Sequence, residues 1–427
     1  MDKLRVGVIV YDQSNPAEGG GHSYYDMLLK GINEFDFNPD IEIINIVFYA
    51  KNIPSLHLKK PSIYIKGGYK YTESLRNKVQ KITLKKNLNT FLTRKNPVID
   101  YILTSTINDR NKKTTDILKQ HKIDLLYYLK PEFNVLNYPF IATHWDVAHK
   151  SMYAFPETSL DNHFELRENY YLYTLSKAFL ILCESETGSK ELKKYYSLYT
   201  KKIKVVPIFG GDVLNEHATE QAEAEVLNKY KLKKENFFLY PAQFWSCKNH
   251  YHLVLAFNKL ITESADKELK LLLCGSDVGN MPYIKQIIES LSLSDRVIVP
   301  GFVLQKELYI FYKNAIALAM PTFLGPTNIP LIEAAHLNCP VLCSNLEGHE
   351  EILGNNALYF EPADIDSIKN AMTQILDKNA RQTLIESANK YIKESGFNLN
   401  NSLNILNQVL LNTISLRKTW GTDFTLK

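Results

Sequence analysis

At 427 residues the chain is longer than one ordinary hydrophobic core, so two domains are the default expectation. Its 45% hydrophobic and 22% charged residues exclude a disordered or fibrous chain. A formal charge of +4 is too small for this length to point to nucleic acid.

Short β-branched runs alternate with amphipathic stretches along the whole chain, the pattern of parallel sheets with helices on both faces. The predicted strands of the first half are residues 4–11, 41–49, 123–128, 139–143, 178–185 and 203–207. The strand pattern pauses from Gly210 to Glu235, where Glu, Ala, Asn and Lys dominate, as expected of an interdomain connection with a surface helix. Strands resume at 237–240, 269–274, 297–299, 316–320, 341–344 and 357–360, with helices at 251–264, 282–291 and 364–376. The predicted domains are 1–208 and 236–396, joined by 209–235, with a C-terminal helix at 399–416 that crosses back to the first domain. The fold class is α/β: two Rossmann-like, doubly wound domains facing a central cleft. Open α/β sheets bind ligands at the carboxyl ends of their strands, so the cleft is the expected site.

The N-terminus lacks the long apolar stretch and small-residue cleavage site of a secretory signal, and no window reaches the roughly 18 apolar residues of a spanning helix. The cysteines are odd in number, Cys183, Cys247, Cys274, Cys339 and Cys343, with apolar neighbours and no C-x-x-C. They read as buried free thiols in a reducing compartment. The expected location is cytoplasmic. Residues 51–96 stand apart, with twelve Lys or Arg against the single acid Glu73 and interleaved Tyr64, Tyr69 and Tyr71. Two readings stay open: a solvated surface insertion, or a cationic patch for anionic lipid or a polyanionic acceptor, each cation near such a surface being worth about 1 kcal/mol. The second reading places the chain peripherally at the inner face of a membrane. No stacking motif supports nucleic acid.

The strongest chemical signal is the run from Ala317 to Asn345, centred on Gly325-Pro326-Thr327-Asn328-Ile329-Pro330. A strand ends, a small-residue turn follows, and a helix opens at Pro330, which lacks the N–H that the first turn would orphan. The free N–H groups there, with the helix dipole, suit a phosphate, and Glu333 one turn in can accept the two hydroxyls of a ribose. A second signal is Gln243 to His250, where a strand delivers Lys248 just before a helix start; Lys is a point charge for a diphosphate. Gly20-Gly21-His22-Ser23 follows the first strand, and its glycines let a backbone approach a phosphate closely. Thr143-His144-Trp145-Asp146-Val147-Ala148-His149 follows another strand, and His144 or His149 is a candidate to contact the sugar or orient the acceptor. Ser185 is read as a helix cap, and no catalysis is assigned to Glu184-Ser185-Glu186.

These segments resemble the donor-binding half of GT-B glycosyltransferases, specifically the large retaining family 4, the glycosyl transferases group 1. The resemblance is good over residues 236–366 and general before it. Lys248 matches the Lys of the family's phosphate-binding Arg/Lys pair, and Glu333 matches the second of two Glu residues separated by seven. The segment around Gly275 matches a conserved-type glycine turn, and Pro300-Gly301-Phe302 matches the turn whose backbone holds the base. Two positions depart from the pattern: the first Glu falls on Gly325, and the Arg partner of Lys248 falls on Gln243. Donor contacts then fall to Thr327, Asn328 and Ile329.

The resemblance implies sugar transfer, with retention, from a UDP- or GDP-linked sugar as co-substrate to a glycan or lipid-linked acceptor in surface polysaccharide synthesis, with no bound cofactor or metal. Two alternatives stay open. One is a non-catalytic subunit of the same fold that binds glycan or a partner, suggested by Gly325 and Gln243. The other is a nucleotide-sugar epimerase or phosphorylase on that fold. The oligomeric state is not indicated.

Overall fold

The strands of the computed structural model pair in parallel throughout and form two sheets. Residues 3–11, 19–49, 52–66, 111–132, 135–263 and 268–421 are described. The first sheet runs β3-β2-β1-β4-β5-β6-β7. It comprises β1 (Leu4–Val10), β2 (Ile41–Tyr49), β3 (Ser62–Lys66), β4 (Leu125–Tyr127), β5 (Phe140–His144), β6 (Leu180–Cys183) and β7 (Ile203–Val205). The second runs β10-β9-β8-β11-β12-β13. Its strands are β8 (Phe237–Pro241), β9 (Lys270–Cys274), β10 (Val297–Gly301), β11 (Ala317–Met320), β12 (Val341–Ser344) and β13 (Leu358–Phe360). Both are doubly wound α/β sheets, the GT-B architecture expected from the sequence.

Parallel strands covered on both faces lose the polar/apolar alternation of a half-exposed strand. Leu271, Leu272 and Leu273 are consecutive and all fully buried, so neither face of β9 meets water. Every predicted strand is present, with ends shifted by a few residues. β3 was not foreseen. It lies inside the basic segment, where Lys59, Lys60 and Lys66 flank Ser62-Ile63-Tyr64-Ile65, and it pairs with β2 as an edge strand that buries Ile65. Charged flanks suit an edge strand, which must resist pairing with other chains. Of residues 51–96, those outside 52–66 lie beyond the described part.

Strand order reverses beside β1 in the first sheet and beside β8 in the second. At such switch points the flanking crossovers leave in opposite directions and open a crevice at the carboxyl ends. The helix start after β1 and the loops after β8 and β11 therefore face the cleft. The connection to the second sheet holds a helix, Glu220–Lys229, capped by the Thr219 hydroxyl on the Ala222 N–H. Near the end of the chain, helix Leu399–Leu411 packs on helix Gly20–Glu34, so closely that a Cβ at Gly31 would meet Leu399 and Leu403 at 3.0 Å. The helical run ends at Leu411, short of the expected 416, and a further turn, Ile414–Arg417, follows. Fully buried Arg417 then donates from Nε to the Asp124 carbonyl at 2.8 Å, and Lys418 reaches the Asp124 carboxylate at 2.8 Å.

Candidate functional site

A cavity of about 590 Å³ lies between the two sheets, within the size range of small-molecule sites. Its walls include Gly20 and Gly21 from the first domain, and Gln243, Lys248, Gly275, Phe302, Gly325, Thr327, Asn328, Ile329 and Glu333 from the second. Every donor-side residue named from the sequence is thus brought to one cavity. His144 and His149 are not among its walls.

Two helices begin at the cavity. Helix Gly20–Glu34 starts at Gly20, so Gly20 and Gly21 are its first residues rather than a free loop. The reason is steric: Gly21 lies against the Trp145 ring, where a Cβ would sit 3.0 Å from the indole, and a glycine-led turn lets the helix begin there. Helix Ile329–His336 starts opposite, with Pro330 in its first turn. A Cβ at Gly20 would lie 3.7 Å from Ile329 Cδ1, which shows how closely the two starts approach. Both positive dipole ends therefore face one volume, which favours an anion.

Asn328 stands at the N-cap of the second helix, the position where its side chain would ordinarily bond the helix N–H groups, yet it makes no such bond. Its amide is used elsewhere. Oδ1 accepts from Lys248 Nζ at 3.1 Å, and Nδ2 faces His349 Nε2 at 2.9 Å. His349 Nδ1 lies 2.9 Å from the Ser344 carbonyl, so the ring carries its proton on Nδ1 and accepts at Nε2. Burial holds His349 down to about 4, keeping it neutral. The chain Ser344–His349–Asn328–Lys248 thereby fixes which face of the Asn328 amide meets the lysine. Lys248 itself ends a short 3-10 turn, and Asn249 after it takes a left-handed conformation, φ 58°, that swings the chain into helix His250–Glu263.

Glu333 is buried. One oxygen accepts from the Gly211 N–H at 3.1 Å and the other from the Tyr312 hydroxyl at 2.8 Å. A carboxylate offers about four acceptor sites, so these bonds orient the group and leave capacity for hydroxyls. Burial raises its pKa to about 7. Gly275 has no alternative: a Cβ there would meet the Ala242 carbonyl oxygen at 2.0 Å, because the ends of β8 and β9 close over it. Its N–H donates to the Gly301 carbonyl at 2.9 Å, and half-exposed Phe302 follows on the cavity wall. Gln243 accepts from the Trp245 indole N–H at 3.1 Å and packs its side chain against Gly19.

The expected sugar contact by His144 or His149 finds no geometry. Both rings are fully buried behind the wall formed by Trp145, Asp146 and Ala148. His144 Nδ1 is paired with the Tyr171 hydroxyl at 3.0 Å, and burial lowers its pKa to about 4. His149 accepts at Nδ1 from Arg167 Nε at 3.1 Å and donates from Nε2 to the Tyr196 hydroxyl at 2.8 Å. Arg167 also grips the Asp146 carboxylate at 2.5 Å. The histidines brace this loop, and its Trp and Asp reach the cavity.

Three residues of consequence were not singled out from the sequence, and a fourth, Glu184, was named there without a catalytic role. Glu157, Arg167 and Glu184 line the cavity, and His349 stands behind Asn328. An acid at the end of the apolar strand Leu180–Cys183 was a usable signal for Glu184. Nothing local marks Arg167, whose partners are distant in sequence. Ser185 is the helix cap expected, accepting from the Gly188 N–H at 2.9 Å. All five cysteines are buried free thiols. Among the described residues no group of His, Cys, Asp and Glu could hold a metal ion, and no helix is long and apolar enough to cross a membrane.

Residues 223–394 match the family model described as Glycosyl transferases group 1. Over 195 residues the chain is 30% identical to the O-antigen chain mannosyltransferase RfbU of Salmonella typhimurium, covering 46% of this chain and 50% of that protein. The chain spans about half the length of the first curated relatives it matches, and 26% of the longer serotype-specific mannosyltransferase WbdA of Escherichia coli. Among solved structures, a glycosyltransferase from Rickettsia africae aligns over 96% of this chain and 99% of its own, with a TM-score of 0.65 and 17% identity. Anabaena Alr3699/HepE, solved in complex with UDP and glucose, aligns over 97% and 100%, with a TM-score of 0.64 and 14% identity. At these identities the structural likeness speaks for the fold, here GT-B.

Proposed function

We propose that this chain is a retaining glycosyltransferase that moves a hexosyl group from a UDP- or GDP-linked donor to a glycan or lipid-linked acceptor of surface polysaccharide. The observation that carries it is the pairing of Lys248 with Asn328 at a helix start inside the interdomain cavity. In the reaction the bond between anomeric carbon and diphosphate oxygen breaks as negative charge builds on the diphosphate. Lys248 and the two helix starts are the groups suited to stabilise that charge, and such placed charges and N–H donors are usually the largest catalytic contribution. The acceptor oxygen bonds the anomeric carbon on the same face, and its proton passes to the departing diphosphate. Glu333 holds the ribose, the turns at Gly275 and Phe302 hold the base, and Thr327 and Ile329 line the sugar side.

The mannosyltransferase relatives make a mannosyl donor the first to test. The cationic residues of 51–96 support contact with an anionic membrane face, where a lipid-linked acceptor would lie. The test is a panel of UDP- and GDP-sugars scored by thermal stabilisation, since a ligand of the folded state raises the melting temperature by mass action. Transfer from the stabilising donor, with the product anomer assigned by NMR, then decides retention. No stabilisation by any nucleotide-sugar contradicts the proposal.

A further inference from the structure

Glu184 is a cavity carboxyl that the proposed reaction leaves unused. It follows β6 in the first domain, is 6% exposed, and its Oε2 accepts from the Thr327 hydroxyl of the second domain at 3.2 Å. The other cavity carboxylates have stronger commitments. Asp146 is held by Arg167 and the Ala148 N–H, Glu157 accepts from the Cys247 N–H, and Glu333 is held by Gly211 and Tyr312. No cation pairs with Glu184 among the described residues. Burial, with Asp146 nearby, raises its pKa to about 8, so near neutral pH it is mostly a neutral acid that can both donate and accept. Beside it the buried Trp145 indole N–H interacts with that same carboxyl, without a full hydrogen bond to any other described residue. Buried polar groups left short of partners cost stability, and here they share one cavity wall.

Their position relative to the phosphate grip matters. Thr327 is the neighbour of Asn328, which binds Lys248. A diphosphate held by Lys248 therefore carries its next group past Thr327. On that side the second domain offers no carboxyl from Gly325. A Cβ there would lie 2.8 Å from Asn328 Nδ2 and 3.0 Å from the Thr327 carbonyl, at a φ of 120° that side chains rarely adopt. The hydroxyl-binding acid must come from across the cleft.

We propose that Glu184, with Thr327 and the Trp145 indole, forms the subsite that recognises the hydroxyls of the sugar attached to the diphosphate. It is a specificity-determining pocket completed only when the two domains face each other. The inference rests on the donor reading above.

The test is calorimetric titration of the full chain with UDP, GDP, UDP-glucose and GDP-mannose. For the nucleotide-sugar that the unaltered protein binds most tightly, Glu184→Ala weakens binding tenfold or more while affinity for the bare nucleoside diphosphate changes less than twofold. Glu184→Gln, which keeps a neutral donor and acceptor, recovers most of that loss. Thr327→Val loses several-fold for the sugar ligand alone, and it gives the same readout should Glu184→Ala fail to fold. Equal weakening of sugar and bare ligands, or no change in either, overturns the subsite while the donor reading stands. If the unaltered protein binds none of the four ligands, the donor reading fails and the subsite fails with it.

Discussion

Lys248 Nζ lies 3.1 Å from Asn328 Oδ1 across the mouth of the second domain, joining the loop after β8 to the helix start after β11. Two segments eighty residues apart thus form one cationic grip. That contact is neutral to charged, so it orients the lysine without neutralising it, and leaves the charge for a ligand.

Removing the charge separates chemistry from folding. Lys248→Ala is expected to lower transfer by about 10²–10³, the range for loss of a group that stabilises developing charge. Urea denaturation is expected to move little, because the side chain is partly exposed and makes one hydrogen bond. Near-normal turnover in this variant removes the grip from the mechanism.

His349 acts on the grip through Asn328. His349→Leu leaves the Asn328 amide free to flip and takes the acceptor from its buried Nδ2, costing about 1–3 kcal/mol of stability; the Ser344 carbonyl keeps the Leu346 N–H. The donor KM should rise more than kcat falls. His349→Gln, which can donate and accept along the same line, should restore KM in part. A purely structural role predicts that KM follows stability and that Gln brings no selective rescue.

The buried acids set a pH signature. Glu184 and Glu333 have folded pKa values raised to about 8 and about 7, above the unfolded value near 4.3. The folded state holds these protons longer, so their contribution is present below the unfolded pKa and is lost as pH rises through about 8. Around Glu184 the facing ionisable groups are Asp146, Tyr24, Tyr127 and Cys183. Buried His144, His250 and His349 act oppositely, with folded values lowered to about 4, 3 and 4, so stability rises with pH up to their unfolded value near 6.5. Between pH 6.5 and 8 the acids act alone, and the urea midpoint should fall. Glu184→Gln and Glu333→Gln should each flatten that decline; an unchanged slope contradicts the burial account.

The C-terminal crossing carries stability. Arg417→Ala removes the guanidinium from buried Asp124 and leaves the Lys418 contact. Breaking a buried pair from one side costs about 3–5 kcal/mol, and Lys418 should hold the loss toward the lower end. Denaturant melts of the variant measure it, and a loss under 1 kcal/mol would show that the tail is not a clasp.

The sequence was most legible where one local rule decided the outcome. Strands such as 341–344 are continuous apolar runs between breakers, and Pro330 announced its helix within a residue. β3 was obscured because lysines flank a short Ser-Ile-Tyr-Ile run, and an edge strand tolerates what a central strand does not. The histidines misled for a different reason. His144 and His149 sit at a strand end, where ligands are often met, yet Tyr171, Tyr196 and Arg167, all later in the chain, draw them inward. Glu184 acquires its meaning from Thr327, 143 residues away, and His349 from Asn328. Such long-range pairings leave no local pattern to read.

The central claim is that Lys248 and the helix start at Asn328–Ile329 bind the diphosphate joining base and sugar. Its most direct test is a crystal of the protein soaked with UDP- or GDP-hexose. The account predicts diphosphate oxygens within about 3 Å of Lys248 Nζ and of the first backbone N–H groups of that helix. A bound nucleotide whose phosphates lie elsewhere, or a cavity left empty at saturating ligand, contradicts it.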